Sequence, residues 1–143
     1  MVGTYWKCSQ EYPIAKYLNL TEEQVENIGY SGTLTVSYDL RFFSENDAKM
    51  RILLSGKIYQ QFADDSEKIL YANVNKNELF DMSYTLNGWS GMLTAIQEST
   101  LWQYPPVKFT LYENTVYLIL EIDNQEVVFK MVDPLELKDA GDL

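Results

Sequence analysis

The chain has 143 residues, 46% of them hydrophobic, which suits one domain with its own core and leaves no room for two ordinary ones. Its 21 acidic and 11 basic residues give a net charge of −10, which disfavours nucleic-acid and membrane-surface roles because phosphate backbones and anionic lipid are repelled. Histidine is absent and Cys8 is the only cysteine, so histidine-based catalysis, histidine metal sites and internal disulfides are all excluded.

Along the chain, Val2 to Ser9 is rich in strand formers, and Tyr12-Pro13 breaks that pattern. Cys8 alternates with Trp6 and Thr4, the setting of a small buried hydrophobe rather than a nucleophile. Leu20-Thr21-Glu22-Glu23-Gln24-Val25 predicts a helix start. Thr21 is the N-cap, Gln24 closes a capping box, and Leu20 faces Val25 as a hydrophobic staple. Gly29 ends this helix, so it spans about 22–28.

Leu34, Val36, Tyr38, Leu40 and Phe42 alternate with polar residues, the period of two that marks a half-buried strand. Ser44-Glu45-Asn46-Asp47 turns the chain. Met50, Ile52, Leu54, Ile58 and Phe62 then hold one inward phase, with Gly56 at a bulge or sharp bend. Phe43, Leu53 and Tyr59 fall on the outer face.

Two further strands are expected at 67–74 and 78–87, the second placing Phe80, Met82, Tyr84 and Leu86 inward before an Asn87-Gly88 turn. Met92 to Leu101 fits a short helix as well as a strand. Tyr104-Pro105-Pro106 is extended or looped, and strands follow near 107–112, 115–122 and 126–132 with hairpin-length connections. Residues 133–143 read as a charged C-terminal tail.

The expected fold is therefore all-β: an antiparallel up-and-down meander of eight or nine strands with a short helix after the first. Closing into a barrel disposes of the sheet edges, and a sandwich is the alternative. The opening Gly3-Thr4-Tyr5-Trp6-Lys7, the helical segment and the meander together resemble the calycin group, the lipocalins and fatty-acid-binding proteins, across residues 2–132. Those chains open on Gly-x-Trp, and this one carries one residue more. The resemblance implies a barrel that holds a small apolar ligand. The paired basic residues that grip a carboxylate in fatty-acid-binding proteins have no match, since Lys130 stands alone in the last strand.

The chemistry-bearing residues point away from an enzyme. Gly88-Trp89-Ser90-Gly91 has Met92 where a nucleophile elbow needs glycine, and no base is available to activate Ser90. Asp39 and Asp81 sit on the polar faces of strands and read as solvated rather than as a glycosidase pair. Asp64-Asp65-Ser66-Glu67 lacks the spacing and glycine of a calcium loop. No metal and no cofactor is expected.

Three readings of function stand. The first is a non-enzymatic binding domain with Trp6, Tyr38, Phe42, Phe62 and Tyr84 lining a pocket for a small apolar ligand. The second presents a surface to another protein, with Trp89 and Trp102 near loops as contacts. The alternative is an acidic inhibitor or immunity-type protein that neutralises a basic partner protein through Glu22-Glu23-Glu26, Asp64-Asp65-Glu67 and Asp133, Glu136, Asp139 and Asp142. Solubility alone also accounts for such charge. No run is apolar enough for a membrane span, and Met1-Val2-Gly3-Thr4 lacks the features of a signal peptide. The protein is expected to be cytoplasmic, or exported with its signal removed.

Overall fold

In the computed structural model, every residue except Asp65, Glu113, Thr115 and Lys138 is described. Asp65 of the acidic run, Glu113 of one hairpin connection and Thr115 at an expected strand start lie outside the described residues. The elements run β1 (Thr4–Tyr12), α1 (Ile14–Leu18), α2 (Glu22–Ile28), β2 (Tyr30–Phe42), β3 (Asp47–Gln60), β4 (Ile69–Asn87), β5 (Ser90–Ala95), β6 (Val107–Tyr112), β7 (Tyr117–Ile122) and β8 (Gln125–Val132). Two 3-10 turns follow, Pro134–Glu136 and Ala140–Asp142. The strands hydrogen-bond in chain order, β8 returns to β1, and the sheet is a closed antiparallel barrel. Closure joins the first and last strands, while β4 pairs with β5 over Met82–Asn87 and extends beyond it towards Ile69. Tyr5 pairs with Val132 where β1 meets β8, and Leu118 pairs with Phe129 between β7 and β8.

The local signals explain most of these elements. Thr21 accepts from the Gln24 backbone N–H at 3.1 Å, and the Gln24 side chain accepts from the Thr21 N–H at 2.9 Å, so the capping box forms as its residues predict. Gly29 ends α2 in the left-handed conformation. The short α1 has no periodic apolar pattern to announce it. Pro13 precedes it, and Asn19 at φ 56° closes it. The strands expected at 67–74 and 78–87 are one, because Val74, Phe80, Met82 and Tyr84 keep a single buried phase through the polar stretch between them. Leu86, expected inward, is 38% exposed near the end of β4.

By packing, the chain divides into two units, to both of which β1 through β4 contribute. One holds residues 1–8, 38–52 and 78–143, with Trp6, Leu40, Phe42, Met50, Met82, Phe109 and Phe129 fully buried. The other holds residues 9–37 and 53–77, with Leu34, Val36, Leu54 and Ile58 at its core. Within the second, Gly56 lies at φ 144°, and a Cβ there would stand 2.2 Å from the Thr33 carbonyl oxygen. Only glycine allows that approach of backbone to backbone.

The C-terminal segment is charged, yet its described residues are docked. Asp133 and Glu136 cap the first 3-10 turn reciprocally, and Leu137 and Leu143 are buried. Arg51 Nη1 donates to the Asp139 carbonyl at 3.1 Å, and Arg41 Nη1 donates to the carbonyl of Leu143. The expectation that Asp39 is solvated is corrected here: it is 2% exposed, and its Oδ2 receives Arg51 Nε at 3.1 Å and Nη2 at 2.8 Å. The polar faces of β2 and β3 hold a buried ion pair because the C-terminal segment reaches Arg51.

Candidate functional site

The connection 96–106, between β5 and β6, is tied to β4 at two places: Ile96 and Gln97 bond to the Asp81 backbone, both at 3.0 Å, and Glu78 holds the middle. Glu78 of β4 accepts from the backbone N–H groups of Thr100 at 3.2 Å and Leu101 at 3.0 Å, and from the hydroxyls of Ser99 and Thr100. Desolvation works to raise its pKa, but these hydrogen bonds to the charged form prevail and hold the carboxyl below the usual glutamate value.

The anchored loop turns Trp102 inward, leaving it 3% exposed. Its ring meets Tyr38 edge-on at 6.2 Å and Tyr104 at 5.0 Å. The indole N–H is buried with no hydrogen-bond partner among the described residues. Such an orphan is rare, because a buried unmet donor costs about 1–3 kcal/mol. Beside it, Glu78, Glu98, Ser99, Thr100, Trp102 and Gln103 line an open cleft of about 620 Å³.

The five residues expected at a ligand pocket are not all brought together. Phe42 and Tyr84 meet at 4.7 Å, and both face Phe109, at 6.0 and 6.5 Å respectively. Tyr38 belongs with Trp102 and with Phe129, 6.0 Å away. Trp6 is fully buried and donates its indole N–H to the Thr4 hydroxyl at 2.8 Å. Phe62 is corrected: it is 50% exposed. β3 ends at Gln60, and the Gln61 N–H bonds to the Gly29 carbonyl at 3.0 Å, so the strand alternation that would bury Phe62 has stopped.

Tyr84 also lines a cleft of about 500 Å³ with Met1, Val2, Glu45, Asn46 and neighbouring β4 residues. Its hydroxyl donates to the Ser44 carbonyl. Burial pushes its pKa up, and the charges of Glu45 and Asp47 add to that.

The two tryptophans expected at a contact surface part company. Trp102 is the buried one described above. Trp89 is 63% exposed at the β4–β5 hairpin, where Gly88 at φ 67° takes the first loop position, the place a type II′ turn reserves for glycine. The Leu111 N–H bonds to the Trp89 carbonyl at 2.7 Å and steadies the tip. Trp89, Thr110, Leu111, Tyr112 and Asn114 line an open groove of about 470 Å³.

The remaining chemistry-bearing residues are structurally occupied. Ser90 pairs with Asn87 in the hairpin, and burial raises the pKa of the Cys8 thiol. No group of three acidic, cysteine or histidine side chains among the described residues could hold a metal ion. Glu78, Ser99, Thr100 and Gln103 carry no sequence motif. Their one signal is a long connection in which Trp102 and Tyr104 flank a polar residue. The chain matches no known family model, no curated protein and no solved structure.

Proposed function

We propose that the chain is a non-catalytic binding protein, a lipocalin-like barrel that takes a small, largely apolar ligand at the Trp102 cleft. The observation that carries this reading is the buried indole N–H of Trp102, which has no partner among the described residues and belongs to a cleft-lining side chain. The N–H is closed to solvent and the side chain is 3% exposed, so a ligand would enter only as the 96–106 loop yields; its carbonyl or hydroxyl oxygen would then accept from the indole N–H and its apolar body would lie against the ring. The cleft volume of about 620 Å³ is in the range of small-molecule sites, roughly 300–1,000 Å³. Glu78 and Glu98 on its wall disfavour a carboxylate ligand, so neutral lipids with one acceptor, such as fatty alcohols and amides, fit better than fatty acids.

Native mass spectrometry of the purified chain, titrated with a fatty-alcohol and fatty-amide series, tests the reading. One ligand should bind per chain. Trp102→Phe keeps the ring contact and removes the donor, and it should weaken binding about 3- to 10-fold, the worth of one neutral hydrogen bond. No bound species across the series, or equal affinity in the variant, would overturn the proposal.

A further inference from the structure

We infer that the face formed by β1, the helices and the start of β4 docks a basic amphipathic segment of a partner protein. This does not rest on the ligand reading, since it uses residues 9–37 and 53–77 only. A groove of about 550 Å³ runs there, with Ile14, Val25 and Tyr30 among its apolar lining and the carboxylates of Glu11 and Glu22 beside them. The Thr21 capping box fixes the first turn of α2, and so the position of Glu22.

An apolar strip adjoins the groove. The Tyr30 ring lies 4.7 Å from that of Tyr71, and the Gln61 N–H bonds to the Gly29 carbonyl at 3.0 Å, one residue before Phe62 and one after Ile28. Ile69 and Tyr71, two residues apart and so on one face of β4, are 52% and 50% exposed, and Phe62 and Ile28 are 50% and 40% exposed. Single exposed apolar side chains are ordinary, but Tyr71 on Tyr30, with Ile69 on the same face, extends the apolar lining of the groove. Glu23 and Glu26 of α2 and Asp64, two residues after Phe62, are exposed as well. Apolar centre and charged rim together are the anatomy of a protein interface.

Charge decides the occupant. An arginine or lysine can lay its aliphatic stem over Ile14, Val25 and Tyr30 and set its cation against Glu11 and Glu22. Nucleic acid and anionic bilayers would meet carboxylates instead. A second copy pairing through the same face would set one acidic face against another and supply no counter-charge to Glu11 and Glu22. A basic partner satisfies both the strip and the rim.

The test uses the full chain and a fluorescent amphipathic peptide of leucine and arginine, with its glutamine-for-arginine counterpart, read by anisotropy. The arginine peptide should bind at least about tenfold more tightly than the glutamine peptide. Glu11→Gln with Glu22→Gln should cost about tenfold, and Tyr71→Ser a comparable loss. Glu121→Gln with Glu126→Gln removes the same charge from the exposed β7–β8 hairpin and should leave binding unchanged. An equal loss in this control would reduce the effect to net charge and overturn the proposal, as would equal binding of both peptides. A sedimentation dimer abolished by Tyr71→Ser would assign the face to a second copy and overturn it too.

Discussion

Removing the Asp39 carboxylate would leave the Arg51 guanidinium buried without its counter-charge, since the two side chains are only 3% and 4% exposed. Breaking such a pair from one side costs about 3–5 kcal/mol, whereas replacing both partners by apolar residues of similar volume is often neutral. Urea denaturation of Asp39→Asn should therefore show a loss of that size, and Asp39→Leu combined with Arg51→Met should recover most of it. A loss below about 1 kcal/mol in the single variant would mean that water reaches the pair. This feature was hidden in the sequence, because Asp39 and Arg51 occupy the polar phase of two well-patterned strands. Alternation reports which face a residue takes and not what later covers that face. The same limit caught Phe62, whose spacing from Ile58 holds only while the strand lasts. By contrast Cys8 and Trp6 were legible, since both lie in the apolar phase of β1 and both are buried.

At the scale of elements, local rules did well where the deciding contacts are local. The capping box of α2 and the alternation of β2 need only their own few residues. Met92 to Leu101 was ambiguous because it holds both the end of β5 and the start of a loop whose anchor, Glu78, lies some twenty residues earlier with no short-range pattern to link them. That anchor has a testable pH dependence. The folded pKa of Glu78 is depressed, so its stabilising contribution is complete above the ordinary glutamate value of about 4.3 and is lost as pH falls through the folded value. Acidification below about pH 4 should thus release the loop and shift Trp102 emission to the red before the barrel unfolds. Glu78→Gln should show the released emission at neutral pH and no acid step of its own. A wild-type signal unchanged until global unfolding would show that the loop is held by other contacts.

For the whole molecule, the all-β meander was readable because most hairpins announce themselves by alternation and turn residues, although two expected strands proved to be the single β4 and β5 lay in a segment that fitted a helix equally well. Closure into a barrel followed from the need to dispose of edges. Which side chains meet within it was not readable: the ring clusters Phe42–Tyr84–Phe109 and Tyr38–Trp102–Phe129 depend on registers that several strands set jointly. The candidate site was less legible still, since it consists of one tryptophan on a loop and a carboxylate that ties that loop down. The central claim is that the Trp102 indole N–H awaits an acceptor supplied by a ligand. The three tryptophans give three indole N–H signals in a ¹⁵N-correlated NMR spectrum, from Trp6, Trp89 and Trp102. Adding a fatty alcohol or amide should move the Trp102 signal downfield, as a new hydrogen bond requires, while those of Trp6 and Trp89 stay in place. A Trp102 signal that does not respond while ligand binds elsewhere, or that already sits at a hydrogen-bonded position in the ligand-free chain, would contradict the account.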